Sequence, residues 1–326
     1  MRLLVLGGTE FVGHAVVDEA LAAGWDVTTF NRGTRAPVEG AEHRIGDRLS
    51  DLSSLATGRW DAVVDTWSWA PSAVRDSAAL LADRVGSYVY ISSRSVYEPM
   101  PPAGGTESAT LVDSSPDDES GDYARYKRGA ELALVDVEHA VLARAGLVLG
   151  PRENVGRLPW WLGRIARGGD ILAPGPATAS IQYIDARDLA RWCLLAAENR
   201  LVGAYNLVSD PSANTMSDLL EACLDVTGSD GRLRWVDADV VLEAGIQPWS
   251  DLPVWLPPGE LHDGMHRSDV SKALASGLVV RPLHETVADT WSWLQSIGGT
   301  APQRPDRPPV GLDPDLEARV LARLDS

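Results

Sequence analysis

Short apolar runs alternate along the first 150 residues with stretches in which apolar residues recur at helical spacing. The apolar runs predict five strands: Arg2–Leu6, Asp26–Phe30, Asp61–Asp65, Tyr88–Ser92 and Ala140–Arg144. The stretches of helical spacing predict three helices: Glu10–Ala23, Ala73–Ala82 and Tyr123–Val137. Strands that alternate with helices are typical of βαβ units, so the pattern predicts an α/β fold with a parallel sheet.

Composition restricts the class of protein. With 44% hydrophobic and 23% charged residues, the 326-residue chain is typical of a folded globular protein. A net charge of −17 argues against non-specific binding of nucleic acid, which depends on neutralising phosphates. The sequence has two cysteines without metal-ligand spacing, no signal-peptide pattern and no apolar run long enough to span a membrane. We therefore expect a cytoplasmic protein with reduced thiols and no membrane contact.

A glycine-rich turn follows the first predicted strand. Gly7, Gly8 and Gly13 stand between this strand and the first helix, where backbone N–H groups can approach a pyrophosphate because no Cβ is in the way. Glu10 stands where such turns usually carry their middle glycine. We expect five residues here to contact a dinucleotide cofactor: Gly7, Thr9, Glu10, Phe11 and Val12.

The end of the second strand predicts which dinucleotide is bound. NAD-binding turns usually place an acid here for the ribose 2′-hydroxyl, whereas this chain has Asn31 followed by Arg32. A guanidinium can bind a 2′-phosphate through two hydrogen bonds, so we predict NADP(H), with NAD(H) as the alternative. Four further cofactor contacts are predicted after later strands, the first two at the adenine: Asp47, Arg48, Thr66 and Trp67.

Ser93, Tyr123 and Lys127 carry groups suited to hydride transfer. Tyr123 and Lys127 are four residues apart in a predicted helix and so share one face. Hydride addition to a carbonyl needs a proton donor at the oxygen, which a tyrosine provides if a nearby ammonium lowers its pKa from about 10. A serine hydroxyl can hold the substrate oxygen in place. Together with the glycine turn, these residues predict an oxidoreductase that uses a nicotinamide dinucleotide.

The sequence resembles the extended short-chain dehydrogenase/reductases, the superfamily of NAD-dependent epimerases and dehydratases, from residue 1 to about residue 295. Six segments carry the resemblance: Gly7–Gly13, Ser92–Tyr97, Tyr123 with Lys127, Arg144–Pro151, Ile184–Leu189 and Ala204–Leu207. The resemblance implies that Ser93 polarises the substrate carbonyl, that Tyr123 is the general acid/base, and that Lys127 tunes Tyr123 and orients the ribose. It also implies a homodimer formed through helices that flank the sheet.

The fold that the resemblance implies is a doubly wound parallel sheet of the Rossmann type with a smaller C-terminal substrate-binding lobe. At Gly150 the pattern changes, and Pro, Trp and Arg become frequent. We therefore predict a dinucleotide-binding domain over residues 1–150, to which residues 181–200 return. Residues 151–180 and 201–298 are predicted to form the lobe, and residues 299–326 a Pro-rich connector with a terminal helix.

Two departures from the family pattern bear on function. Glu10 replaces a glycine, as in a Gly-Gly-Thr-x-Phe branch that includes chloroplast RNA-binding proteins. The alternative function is therefore a non-catalytic cofactor-sensing or RNA-binding module, although the acidic charge and the intact Tyr123/Lys127 pair favour an enzyme. Arg94 and Ser95 stand where nucleotide-sugar 4,6-dehydratases place Asp and Glu, so a reductase or an epimerase is expected rather than a dehydratase.

Five residues are predicted to contact the substrate: Arg94, Arg157, Trp160, Trp161 and Gln182. Tryptophan rings can stack on a sugar, a base or an aromatic ring, and the arginines, with Arg164 and Arg167 nearby, can bind an anionic group. The expected substrate is a small molecule with a carbonyl or secondary alcohol, either a nucleotide sugar or an aromatic ketone. His262 and His266 lack a third ligand, so no metal site is predicted.

Overall fold

The computed structural model describes residues 1–305 and 307–324. Its strands are β1 (Arg2–Leu6), β2 (Asp26–Asn31), β3 (Glu42–Ile45), β4 (Ala62–Asp65), β5 (Tyr88–Ser93), β6 (Ala140–Ala145), β7 (Leu147–Leu149), β8 (Asp170–Pro174), β9 (Tyr183–Asp185), β10 (Gly203–Leu207) and β11 (Arg232–Val236). Its helices are α1 (Phe11–Ala22), α2 (Ser72–Leu81), α3 (Tyr123–Leu132), α4 (Arg157–Ala166), α5 (Ala186–Glu198), α6 (Met216–Thr227), α7 (Ala238–Glu243), α8 (Glu260–His266), α9 (Ser271–Ala275), α10 (Leu283–Ser296) and α11 (Pro314–Leu324).

Seven strands form one sheet in the order β10-β6-β5-β4-β1-β2-β3, and all neighbouring strands are parallel. The central strands β1, β4 and β5 are buried along almost their whole length because both faces of a parallel sheet are covered by helices. On one face, α1 packs against α5. On the other, Val74 and Leu81 of α2 and Ala130 of α3 join Leu4 and Tyr90 of the strands in a buried core. The predicted doubly wound α/β fold is confirmed.

The chain divides into two compact units. The first comprises residues 1–146, 186–208 and 269–279, and contains the seven-stranded sheet. The second comprises residues 147–185, 209–268 and 280–326, with two-stranded sheets β8-β11 and β7-β9. In the second unit α4, α6 and α10 pack together around a core that includes Trp161, Trp255 and Leu219.

Within residues 1–298 the boundaries of these units differ from the predicted domains at four places, the first being residues 147–150, which were predicted in the dinucleotide-binding domain but belong to the second unit. Residues 201–208 were predicted in the substrate-binding lobe, but β10 pairs with β6 and forms one edge of the large sheet. Residues 269–279 also belong to the first unit, where α9 packs against β10. Residues 181–185, predicted with the first unit, instead pair as β9 with β7 in the second unit.

The C-terminal segment is part of the second unit and not a separate connector. Helix α11 packs against β8, and Leu312 and Val320 are buried in the core of that unit. Asp306, Asp325 and Ser326, which fall in the predicted connector and terminal helix, lie outside the described residues. No helix in residues 1–305 or 307–324 combines the length and apolar character needed to cross a bilayer.

Candidate active site

The turn between β1 and α1 adopts a conformation that requires glycine. Gly7 and Gly8 have φ angles of 121° and 95°, a region that residues with a Cβ rarely adopt. At Gly13 an added Cβ would lie 2.8 Å from the backbone nitrogen of Gly8, so α1 begins directly against the turn. Thr9 and Glu10 complete the turn, and Phe11 and Val12 are the first residues of α1. Backbone N–H groups at a helix N-terminus favour an anion, so this cradle fits the pyrophosphate of a dinucleotide.

Asn31 and Glu10 tie the end of β2 to the glycine turn. The Asn31 side chain donates to the carbonyl of Gly7 at 3.1 Å and accepts from the backbone N–H of Gly33 at 2.9 Å. Glu10 forms an exposed ion pair with Arg35, in which Nε lies 2.7 Å from Oε1. Arg32 is exposed in the same loop. The prediction from sequence missed Arg35, whose closeness to the turn depends on the Glu10 carboxylate that replaces the expected glycine.

The structure gives Arg48 a role different from the predicted adenine contact. Its buried guanidinium donates two hydrogen bonds of 2.8 Å to the carboxylate of Asp65 at the end of β4. Burial opposes both charges, but their mutual attraction prevails, so the pKa of Asp65 is lowered and that of Arg48 is raised. Asp47 is half-buried and accepts from the backbone N–H of Leu49 at 2.8 Å. Asp47 thus stays the predicted contact for the adenine.

Thr66 and Trp67 follow β4 and lie beside the first unit's candidate site. The Thr66 hydroxyl donates to the carbonyl of Leu6 at 3.0 Å, and a Cβ on Gly7 would collide with it. The carbonyl of Trp67 accepts from the ammonium of Lys127 at 2.7 Å and from the hydroxyl of Tyr90 at 3.0 Å. Thr66 thus lies next to the glycine turn and Trp67 next to Lys127, and their contacts with a cofactor stay predictions.

Helix α3 presents Tyr123 and Lys127 one turn apart. The helix begins at Tyr123 because the carboxylate of Asp122 caps it by accepting from the backbone N–H of Arg125 at 2.8 Å. Tyr123 is 38% exposed, whereas Lys127 is 2% exposed. The buried ammonium of Lys127 donates to the carbonyls of Trp67 and Ile91, each at 2.7 Å, and lies 6.0 Å from the centre of the Tyr123 ring. A positive charge is thus fixed beside an accessible phenol.

Ser93 ends β5, two residues after the carbonyl that binds Lys127. Its hydroxyl accepts from the backbone N–H of Ser95 at 3.1 Å and caps the short 3-10 turn Arg94–Val96, against which α3 packs. The structure therefore packs α3, which carries Tyr123 and Lys127, against the end of β5 that carries Ser93.

A buried network behind Ser93 fastens α3 to the sheet. Glu131, four residues after Lys127, accepts from the hydroxyl of Ser92 at 2.7 Å and from Nε and Nη2 of Arg144 at 2.8 and 2.9 Å. Arg144 also donates to the hydroxyl of Tyr97 at 3.1 Å. The sequence prediction missed Glu131, although its spacing from Lys127 places both on one helix face.

Arg94 is buried, in contrast to its predicted contact with substrate. It is 2% exposed and packs beside Gly146, where an added Cβ would lie 3.5 Å from its Cδ. Burial lowers the pKa of the Arg94 guanidinium to about 10.

Trp161 and Gln182 also have structural roles in place of the predicted substrate contacts. Trp161 is fully buried, and its indole N–H donates to the carbonyl of Pro253 at 2.7 Å. The Gln182 amide donates to the carbonyls of Ser209 and Ser268 and accepts from the backbone N–H of Ser268, all within 3.1 Å. The polar groups of both side chains therefore form hydrogen bonds with backbone groups of the second unit.

Helix α4 has a buried apolar face, which decides which of its residues are accessible. Trp160 and Arg157 are half-buried; Trp160 meets the edge of Trp161, and the Arg157 guanidinium lies 5.3 Å from the centre of the Trp249 ring. Their predicted substrate contacts stay predictions. Arg164 instead is buried and pairs with Glu317 of α11 at 2.7 Å, so the anion contact suggested for it is wrong.

His262 and His266 lie with ring centres 5.4 Å apart. Nδ1 of His266 accepts from the backbone N–H of Gln182 at 3.0 Å, and its Nε2 lies 3.1 Å from the carbonyl of Val254. Both ring nitrogens are thereby occupied within the protein. Over residues 1–305 and 307–324, no three His, Cys, Asp or Glu side chains cluster as metal ligands would.

Comparison with known proteins relates this geometry to a family. Residues 77–207, which include β5, α3 and β6, match the model of the family described as NAD dependent epimerase/dehydratase. The chain is 26% identical over 269 residues, covering 73% of this chain and 82% of the other, to dTDP-6-deoxy-L-talose 4-dehydrogenase (NAD(P)(+)) of Kitasatospora kifunensis. The chain therefore resembles the NAD-dependent epimerase/dehydratase family. The predicted resemblance to the extended short-chain dehydrogenase/reductases is thereby confirmed.

Two solved structures of nucleotide-sugar 4-epimerases share this fold. UDP-N-acetylglucosamine 4-epimerase from Bacillus cereus is 18% identical, with a TM-score of 0.66 over 90% of this chain and 99% of that chain. UDP-glucuronic acid 4-epimerase from Bacillus cereus in complex with NAD is 16% identical, with a TM-score of 0.65 over 92% and 99%. Together, the family model and the dehydrogenase relative support an NAD-dependent enzyme. Because the matched family model is described for both epimerases and dehydratases, the match does not support the prediction that disfavours dehydration.

Proposed function

We propose that the protein is an NADP(H)-dependent reductase or epimerase that acts on a carbonyl or secondary alcohol of a nucleotide sugar. The observation that carries the proposal is the buried ammonium of Lys127. It is bound to two carbonyls at 2.7 Å, one turn from the accessible Tyr123 and beside the strand end that carries Ser93. A lysine is rarely buried unless its charge is paired, and buried charged groups are frequent at functional sites.

Each side chain has one part in the reaction. The Tyr123 hydroxyl gives its proton to the substrate oxygen during reduction, and the Tyr123 phenolate takes a proton from the substrate hydroxyl during oxidation. The ammonium of Lys127 stabilises the phenolate that remains after the proton has left. The Ser93 hydroxyl donates a hydrogen bond to the same oxygen and polarises the carbonyl. The nicotinamide, when bound, supplies or accepts the hydride.

The preference for NADP(H) over NAD(H) rests on the charges at the end of β2. An amide, Asn31, stands where a carboxylate would repel a 2′-phosphate, and Arg32 is exposed beside it. Arg35 adds a second guanidinium, paired with Glu10 across the glycine turn. Two guanidiniums in one loop favour the dianionic 2′-phosphate over the neutral hydroxyl.

A nucleotide sugar is favoured over an aromatic ketone by the relatives. The dehydrogenase of Kitasatospora kifunensis is named for a dTDP-sugar, and the two Bacillus cereus epimerases are named for UDP-sugars. Arg157, stacked on Trp249 in the second unit, provides a cation suited to a diphosphate and an aromatic surface suited to a base or sugar. The sequence alone left the two substrate classes open.

The test is turnover of Tyr123→Phe, with Tyr126→Phe of the same helix as the matched control. Purified proteins are given NADPH or NADH with a panel of dTDP- and UDP-sugars, and products are identified by mass and NMR. Loss of a general acid typically costs about 10²–10⁴-fold, so we expect at least about a hundredfold loss for Tyr123→Phe, with cofactor binding retained. Tyr126→Phe should keep activity.

Other outcomes separate the alternatives. Loss of water from the sugar would replace the proposed reductase or epimerase with a dehydratase. Cofactor binding without turnover of any sugar by the wild type, together with binding of RNA, would favour the non-catalytic module. Equal turnover by wild type and Tyr123→Phe would refute the proposed role of Tyr123.

A further inference from the structure

The ion pair of Arg48 and Asp65 is buried in the first unit below the candidate site. Arg48 is 6% exposed and Asp65 0%. Besides its two bonds to Asp65, Arg48 donates to the carbonyl of Ala73 at 3.0 Å. Asp65 also accepts from the hydroxyl of Tyr88 at 2.6 Å and from the backbone N–H of Trp67 at 3.0 Å. One carboxylate thus joins β4, β5 and the chain that follows β4.

The same pair fixes the residue that follows the strand. Asp65 holds the backbone N–H of Trp67, and the Arg48 guanidinium lies 5.3 Å from the centre of its ring. The Trp67 indole N–H donates to the carbonyl of Ala70 at 2.9 Å. The peptide and the ring of Trp67 are therefore both fixed, which sets the direction of its carbonyl.

That carbonyl is one of two that bind the ammonium of Lys127. We infer that Arg48 and Asp65 are positioning residues for Lys127, and that they act through the carbonyl of Trp67. An effect of Arg48 and Asp65 on catalysis rests on the proposed function, whereas their effect on the position of Lys127 does not. A positioning role also accounts for the burial of Arg48, although its sequence neighbour Asp47 is only half-buried.

Stability alone does not account for the pair. Replacing a buried ion pair by well-packed uncharged residues is often neutral or stabilising, because desolvation offsets the attraction. The buried pair of Arg164 and Glu317 in the second unit serves as a control. Its hydrogen bonds include those to the backbone of Asp170 and Leu172, and neither residue supplies a carbonyl that binds Lys127. A variant of either pair therefore loses a buried ion pair. Only a variant of the Arg48 and Asp65 pair also loses a hydrogen bond to the residue whose carbonyl binds Lys127.

The lysine content of the chain makes the link directly measurable. The sequence contains two lysines, Lys127 and Lys272, among its 29 basic residues. Protein grown with ¹³C,¹⁵N-lysine therefore gives two side-chain signals in an NMR spectrum. Lys272 donates to the carbonyl of Ala204 at 2.6 Å and serves as the internal reference.

The experiment compares Asp65→Asn with Glu317→Gln. In Asp65→Asn we expect the Lys127 signal to shift and its ammonium protons to exchange faster with water, while the Lys272 signal is unchanged. In Glu317→Gln both lysine signals should stay at their wild-type positions. If Asp65→Asn does not fold, the neutral pairs Arg48→Met with Asp65→Asn and Arg164→Met with Glu317→Gln replace the single variants. An unchanged Lys127 signal in a folded variant of the Arg48 pair would overturn the inference.

Turnover then separates this inference from the proposed function. Misplacement of a group by about 1 Å can cost about 10²-fold in rate, so kcat of Asp65→Asn should fall by up to that factor with KM little changed. Glu317→Gln should keep the wild-type kcat at temperatures where it is folded. A displaced Lys127 signal with unaltered kcat would preserve the positioning link and refute the catalytic role of Lys127.

Discussion

Gly13 tests the cofactor cradle at the scale of a single residue. Its added Cβ would meet the backbone nitrogen of Gly8 at 2.8 Å, which no side-chain motion relieves. We predict that Gly13→Ala weakens binding of NADPH about tenfold or more, because the turn that approaches the pyrophosphate must shift. Fluorescence titration measures the change.

The control for that prediction is Gly163→Ala. Gly163 also lies in a helix, α4, and nothing lies within 4 Å of an added Cβ. Alanine favours a helix over glycine by about 0.5–1 kcal/mol, so this variant should be slightly more stable and bind NADPH normally. Equal affinities of the two variants would contradict the assignment of the turn.

Single residues also show which parts of the site the sequence can predict. Tyr123 and Lys127 follow from spacing, because residues four apart on a helix share a face wherever the helix packs. Arg48, Trp161 and Gln182 do not, since their polar groups are used by Asp65, Pro253 and Ser268, which are remote in sequence. Burial of a polar residue depends on such tertiary partners, which the local pattern of hydrophobic and polar residues does not predict.

At the scale of an element, the start of α4 depends on a buried carboxylate. Glu153 is 0% exposed and accepts from the backbone N–H groups of Arg157 at 2.7 Å and Leu158 at 3.2 Å. Burial raises the pKa of Glu153 to about 7 from an ordinary 4.5, against the opposing effects of Arg157 and the backbone hydrogen bonds. The folded protein therefore holds a proton here that the unfolded chain has released.

The stability of the protein should consequently fall as the pH rises through the window from 4.5 to about 7. The full shift corresponds to about 3 kcal/mol in the free energy of unfolding. Glu153→Gln carries no titrating group, so its stability relative to wild type should rise by about this amount between about pH 5 and about pH 8. Urea unfolding of both proteins at the two pH values checks this, and a constant difference would contradict the pKa shift.

Elements of the sheet were predictable where they are apolar. The central strands β1, β4 and β5 stand out as buried runs, whereas β3 (Glu-His-Arg-Ile) is a polar edge strand and was missed. Strand β10 was recognised as a strand, but its place depends on pairing with β6, about 60 residues earlier. Pairing partners at such separations are set by the whole fold.

At the scale of the whole molecule, the α/β class and the family were predictable and the composition of the second unit was not. Its strands pair over long sequence distances, as β8 does with β11. Its C-terminal helix is held by the buried pair of Arg164 with Glu317 and by the buried Val320, in a segment whose composition resembles a connector. The homodimer and the cytoplasmic location stay predictions, which light scattering and cell fractionation can test.

The most direct test of the account is titration of the nucleotide-free wild-type protein with NADPH and NADH, followed by fluorescence, with Arg32→Asp alongside. The account predicts that both dinucleotides bind, that NADPH binds more tightly, and that Arg32→Asp weakens NADPH far more than NADH. Tighter binding of NADH by the wild type would contradict the proposed cofactor preference. Failure of the wild type to bind either dinucleotide would contradict the assignment of the glycine turn and, with it, the proposed hydride-transfer site.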